Sequence, residues 1–274
     1  MFSVSMVTRV SGALFCPINL SRSILNPHNL ISSPFIRGFS SFISRGDIVI
    51  YKGFHKGELG DVVQNKGRPN LVVSSDSVIS KTGNFLLAPI STAPKRHDFE
   101  VELSADNQTK LKETSKVMVN QIFTANIKEG KVKKIGTALS HMDSVDEALK
   151  VCFGDLGQGI VDPDRMKITR GDFVEIDDGN SHFEGIVVSN NLGNFSSRIA
   201  MVADSSLEGR SIRVVDEFST KIRVEHENGP KEMTIRCYDI NTFSQSIMMR
   251  RGKIKNNEME KILKVLNLVL GISV

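Results

Sequence analysis

In the stretch KGRPNLVVSS, residues 66–75, a guanidinium stands just ahead of an apolar run. Leu71-Val72-Val73 is short, β-branched for the most part and bounded by turn formers, the pattern of a core strand. Pro69 fixes its own φ and biases Arg68 toward an extended backbone, so the Arg68 side chain is held at the mouth of that strand. A charge placed there is either a solvated rim residue or a chemical tool. Other side chains bring chemistry by type alone. His55, Glu58 and His97 are candidate general bases, and the cluster Lys95-Arg96-His97 suits either phosphate contact or a solvated loop.

Composition narrows the field. The chain has 274 residues, 40% of them apolar and 24% charged, enough for one large core or two small ones. Its formal charge of +4 is misleading about partners, because residues 1–44 hold three arginines, no lysine and no acid. Without those arginines, 32 basic residues face 31 acids. The same segment carries ten serines, and an acid-free, Ser-rich, Arg-containing start is the composition of a mitochondrial or plastid transit peptide. Arg37-Gly38-Phe39-Ser40 fits a matrix-protease site, which predicts residues 1–39 as a transit peptide, Ser40 as the mature start and the mitochondrial matrix as the destination, with the plastid as the alternative. Cys16 leaves with that peptide. Cys152 and Cys237 lack any ligand or disulfide spacing and read as buried thiols, so neither a metal nor another cofactor is expected. No apolar run approaches the ~20 residues of a membrane span.

The elements that must position these groups come in two sets. SRGDIVIYKG at 44–53 returns as TRGDFVEIDDG at 169–179, PNLVVSSD at 69–76 as EGIVVSNN at 184–191, and VMVNQIFT at 117–124 as TIRCYDINT at 234–242. Each set closes with an amphipathic helix. In the first, Ser144 and Glu147 have capping-box spacing, and Met142, Val145, Leu149, Cys152 and Phe153 share a face. In the second, Asn257 is the expected cap before Met259, Ile262, Leu263, Leu266 and Val269. Gly, Pro and Asp at 157–165 mark a linker between domains at 44–156 and 166–274. Strands are expected at 47–51, 70–74, 85–90, 99–103, 117–122 and 132–136. Too few helices lie between them for a doubly wound sheet, so the fold class is mainly β with helices (α+β), built as small, strongly bent antiparallel barrels.

The first domain resembles the MazF/PemK toxin family of bacterial endoribonucleases over most of 44–156. The resemblance rests on Arg45-Gly46-Asp47-Ile48-Val49, Gly67-Arg68-Pro69 leading into Leu71-Val72-Val73-Ser74, Ala88-Pro89-Ile90-Ser91-Thr92, Phe99-Glu100-Val101, Val117 to Thr124, and Val145 to Leu149, in that order. It implies two SH3-like barrels packed as an intramolecular pseudo-dimer, since the family's toxins are dimers with an RNA groove along the interface. It also implies metal-independent cleavage of single-stranded RNA by the neighbouring 2′-OH. In that reading Arg68 stabilises the charge growing on the phosphoryl oxygens and Ser91 adds a hydroxyl donor. His55, Glu58, Lys66, Thr92, Lys95, Arg96, His97 and Gln121 are weaker RNA-contact candidates.

Departures from the family pattern are equally informative. Phe123-Thr124 stands where the family has Arg-Thr, Asn120 where an acid is common, and the loop from Glu58 to Arg68 is longer. In the second domain Glu184-Gly185 is expected at the Arg-Pro position and Asp204 near that of Ser91, which puts carboxylates where phosphate would lie. That domain is expected to lack chemistry. The expected partners are RNA together with an antitoxin-like protein or an organellar ribonucleoprotein such as the ribosome. A non-catalytic assembly module of such a particle is the competing reading, and a binder like the topoisomerase-poisoning toxins is a third.

Overall fold

The two halves of the chain run through similar but not identical successions of strands and helices. In a computed structural model that describes residues 43–53, 67–128, 130–154, 166–177, 182–207 and 216–272, the first half contains β1 (Asp47–Gly53), β2 (Pro69–Val72), α1 (Asp76–Thr82), β3 (Asn84–Ser91), β4 (Glu100–Leu103), β5 (Ser115–Met118), a 3-10 turn (Val119–Gln121), β6 (Phe123–Asn126), β7 (Gly130–Thr137) and α2 (Met142–Phe153). The second contains β8 (Asp172–Asp177), β9 (His182–Val187), α3 (Asn191–Ser197), β10 (Ile199–Leu207), β11 (Ser219–His226), β12 (Gly229–Ser244), β13 (Met248–Ile254) and α4 (Asn256–Leu270). The expected transit peptide and linker lie outside the described residues, as do His55, Glu58 and Lys66. Among the described residues, no helix is long and apolar enough to cross a membrane.

Among the described residues the fold is mainly β with helices and forms two sheets. One is seven-stranded, ordered β4-β5-β3-β2-β1-β7 with β6 also on β3; the other is a closed barrel, β10-β12-β11-β13-β8-β9. Two barrels were expected, and the difference between the sheets has a local cause. In the second half β11 runs on to Val224–His226, which pair with Ile254–Gly252 of β13 and close the ring. In the first half β4 stops at Leu103, and the chain folds into a turn in which Asp106 Oδ1 accepts from Gln108 N (2.8 Å) and Thr109 N (2.7 Å). That turn meets β7 instead of a strand, with Thr137 N donating to Gln108 O at 2.9 Å. Glycine permits both approaches. A Cβ on Gly136 would lie 2.2 Å from Thr109 O, and one on Gly252, at the matching register position, 2.5 Å from Glu225 O.

The two RGD segments are turns. Gly46 and Gly171 adopt φ of +86° and +82°, a conformation that costs a side-chain-bearing residue and suits glycine. Asp47 Oδ2 accepts from Ser44 N (2.9 Å) and Asp172 Oδ2 from Thr169 N (2.7 Å). The arginines then reach across the molecule. Arg45 Nε donates to Leu270 O at the end of α4 (2.8 Å), while Arg170 donates to Phe153 O and Gly154 O at the end of α2. Cations at helix C-termini complement the helix dipole. Beside them Ser75 N donates to Val269 O (2.7 Å) and Asn190 N to Cys152 O (2.8 Å). In the strands, Thr124 Oγ1 donates to Ile240 O (3.0 Å) and Thr242 Oγ1 to Ile122 O (2.7 Å).

One large apolar core spans both halves. It unites Ile48, Leu71, Leu86 and Val117 with Phe173, Ile186 and Ile235 and with the inner faces of α2 and α4. The expected apolar positions of α2 are all buried. The caps differ from expectation. A 3-10 turn, Leu139–His141, runs straight into α2, so the Met142 N–H already bonds Leu139 O and the helix starts ahead of Ser144. Likewise Lys255 O accepts from Glu258 N and Met259 N, so Lys255 rather than Asn257 is the N-cap of α4.

Candidate functional site

Arg68 precedes β2 and is exposed, and Asn70 Nδ2 donates to its carbonyl at 2.9 Å. The ladder between β2 and β3 pairs Leu71 with Ala88 and Asn70 with Pro89. Continued by two residues, that register sets Arg68 opposite Ser91. Ser91 in turn pairs with Lys116 of β5, and Lys116 with Glu102 of β4. A cation and a hydroxyl therefore share one level of the sheet. Ser91 is half-buried, and its Oγ accepts from Ala93 N at 3.3 Å in a local turn.

Beyond Ser91, Thr92, Lys95, Arg96 and His97 are all exposed on the loop to β4. That loop is held from beneath. Glu100 Oε2 accepts from Arg96 N (2.6 Å) and His97 N (3.2 Å), Glu100 Oε1 meets Lys116 Nζ at 2.7 Å, and Lys116 also donates to Pro94 O (2.9 Å). Both charged side chains of this pair are buried. Burial alone pushes the Glu100 carboxyl up, but the Lys116 hydrogen bond, the Arg96 N–H, the Lys116 charge and the His97 N–H outweigh it and hold the carboxyl below its ordinary range. Gln121 is half-buried at the end of the 3-10 turn between β5 and β6. Of the expected groups, then, the fold gathers Arg68, Ser91 and the 92–97 loop at one end of β3, while Gln121 stands on the turn that joins β5 to β6. Asn70, Glu100 and Lys116 escaped the sequence reading. A charged residue framed by Phe99 and Val101 was the available signal for Glu100.

The second half corrects two expectations. Its ladder pairs Ile186 with Phe173 and Ile176 with Phe183, so the residue matching Arg68 is Phe183, and Glu184 matches Pro69. Phe183 is buried against Phe243, with ring centroids 5.0 Å apart. The β9–β10 register likewise matches Asp204 to Pro89 and Ser206 to Ser91. The Asp204 carboxylate does not face an open groove: it is buried in an ion pair with Arg236, which also lies 3.5 Å from Asp239. Among the described residues, the two cysteines, Cys152 and Cys237, offer no nucleophile. Both are buried, which pushes the Cys152 thiol up and the Cys237 thiol to about 12.

Residues 44–153 match the family described as PemK-like, MazF-like toxin of type II toxin-antitoxin system, so this segment is a PemK/MazF-like toxin domain running from β1 to the end of α2. No curated protein matches the chain. Among solved structures it is similar to the Mycobacterium tuberculosis toxin MazF-mt6, at 25% identity over 36% of this chain and 93% of that one, with a TM-score of 0.29. MazF from Deinococcus radiodurans aligns at 20% identity over 39% of this chain and 93% of its own, TM-score 0.33. An endoribonuclease in complex with its cognate antitoxin, from a mycobacterial species, aligns at 18% identity over 39% and 98%, TM-score 0.32.

Proposed function

We propose that the protein is a metal-independent endoribonuclease of MazF/PemK type in which the first half holds the chemistry and the second, a diverged copy, replaces the partner subunit. The observation that carries the reading is the register that sets Arg68 opposite Ser91 within the segment matching the toxin family. The Arg68 guanidinium offers forked donors to the phosphoryl oxygens; Ser91 adds a hydroxyl as charge develops. The neighbouring 2′-OH of the RNA is the nucleophile. The pseudo-dimer is supported by reciprocity: Arg45 and Arg170 each cap the closing helix of the opposite half, and Thr124 and Thr242 each donate to the carbonyl two residues before the other, Ile240 O and Ile122 O. Contacts that recur with the partners exchanged are what two-fold association produces.

The test uses the purified full-length chain, monomeric by light scattering, and a long single-stranded RNA in EDTA. Fragments ending in 2′,3′-cyclic phosphate are expected. An RNA that is bound yet stays intact defeats the enzyme reading in favour of a binding module of an organellar ribonucleoprotein, which the local engagement of the Ser91 hydroxyl would then explain. An antitoxin-like protein is a fitting partner under the first reading. The mitochondrial matrix is the proposed site of action, supported by the acid-free, Ser-rich segment 1–44. Protein isolated from mitochondria is expected to start at or near Ser40; intact Met1 confined to the cytosol would overturn the address.

A further inference from the structure

The Lys95-Arg96-His97 loop is more ordered from below than an exposed basic loop needs to be. Three of its backbone groups, Pro94 O, Arg96 N and His97 N, are bonded by the side chains of Lys116 and Glu100. A fourth, His97 O, accepts from Glu100 N at 3.1 Å. The His97 ring is stacked on Phe99, centroids 4.8 Å apart and planes 16° from parallel. Glu100 and Lys116 form their own ion pair at 2.7 Å, each side chain 7% exposed. An apolar pair would hold β4 against β5 at least as well as a buried ion pair does. What the charged pair alone supplies is the set of bonds to the loop backbone. Its effect is to fix Lys95 and Arg96 in the solvent, one short loop away from the position opposite Arg68, with Asp98 the nearest acid in sequence.

We propose that this loop is a preorganised phosphate-binding site for the RNA segment flanking the one at Arg68 and Ser91, with Lys95 and Arg96 as the contacting residues and Glu100 and Lys116 as positioning residues. The proposal rests on the RNA reading above and extends it to how the strand is gripped. Lys95 and Arg96 contact successive backbone phosphates of single-stranded RNA without reading bases. Because the loop is ordered before binding, little side-chain and backbone freedom is lost when the strand arrives.

Binding is measured on the full-length chain by fluorescence anisotropy with a single-stranded 2′-O-methyl RNA, which lacks the attacking hydroxyl, so the readout is independent of cleavage. Removing both cations in Lys95→Ala/Arg96→Ala is expected to lower the slope of log Kd against log salt by about 1.4, two phosphate contacts at about 0.7 each on a single strand. The loss should be uniform across RNA sequences. The variant Glu100→Leu/Lys116→Met keeps the two strands packed without charge; it is expected to unfold at the wild-type urea midpoint or above while losing salt slope like the loop variant. A wild-type slope in Lys95→Ala/Arg96→Ala overturns the site, and a wild-type slope in Glu100→Leu/Lys116→Met overturns the positioning role. Wild-type protein with no affinity for the RNA defeats the underlying RNA reading instead. Binding of poly-glutamate with none of RNA overturns the proposal in favour of an acidic protein partner.

Discussion

The two halves of the molecule have similar successions of elements and exchange equivalent hydrogen bonds, yet they distribute charge in opposite ways at matching positions. Where the first half presents Arg68 to solvent, the second buries Phe183 against Phe243. Where the first has Pro89 and Met118, the second buries Asp204 and Arg236 as an ion pair. Under the proposed RNA reading, a groove that meets a polyanion needs cations at its surface, whereas a wall needs only to be filled. Conversely, the contacts that stay alike, Arg45 with Arg170 and Thr124 with Thr242, are the ones that join the halves. Each of these bonds one half to the other, so a change on either side is felt by both. Chemistry needs one site; an interface needs two faces.

The most severe way to break the comparison is to unpair the buried ions of the second half. Asp204→Ala leaves the buried Arg236 guanidinium with only the more distant Asp239 carboxylate, at 3.5 Å, so the cost approaches but stays below the about 3–5 kcal/mol of a fully unpaired buried charge. The urea midpoint should fall accordingly, while the fraction still folded cleaves RNA at the wild-type rate. Wild-type stability would mean that Asp204 is hydrated rather than paired. The matching change in the first half is expected to do the reverse. Arg68→Ala, at an exposed position, should leave the midpoint unchanged and lower cleavage roughly 10²-fold, about 2.7 kcal/mol of transition-state stabilisation. RNA affinity falls by only one phosphate contact. Ser91→Ala should lose less, in the same direction, and Glu184→Ala should cleave normally. A loss in Arg68→Ala confined to affinity would reduce Arg68 to an anchor.

These contrasts were only partly legible in the sequence. Leu71-Val72-Val73 reads as a core strand because both faces of β2 are covered, so the apolar run is continuous. The closing helices read clearly because their apolar stripes are long and regular. The helices α1, DSVISKT, and α3, NLGNFSS, have weak helical composition and are held by docking: their N-cap backbone N–H groups bond the ends of α4 and α2. No local pattern encodes that. The match between Arg68 and Glu184 slipped by one residue because similarity of short strings cannot fix register across connections of unequal length; the ladder can, by pairing Leu71 with Ile48 and Ile186 with Phe173. Arg68 was visible from its Pro neighbour and strand. The Glu100–Lys116 pair was not, since it forms across two strands joined by a long loop.

The smallest expected effect sharpens the comparison at that pair. In the second half the positions matching Glu100 and Lys116 are Ser219 and Thr234, which do not titrate there, so acid sensitivity of this origin belongs to the first half alone. The Glu100 carboxyl is pushed up by burial, but bonds from Lys116, Arg96 N and His97 N leave it below its ordinary value of 4.5. A depressed carboxyl binds fewer protons in the folded chain than in the unfolded one, so its contribution to stability is complete above about 4.5 and is lost as pH falls toward the folded value. Glu100→Gln cannot titrate. The gap in urea midpoint between wild type and Glu100→Gln should therefore be largest near neutrality and narrow once the pH drops below about 4.5, while the other carboxylates shift both proteins together. Amide exchange at Arg96 and His97 should quicken over the same range in the wild type, because protonated Glu100 gives up its strongest acceptor role there. The effect is modest because burial opposes the hydrogen bonds within the same group. A gap independent of pH would show that the carboxylate is not what holds the loop.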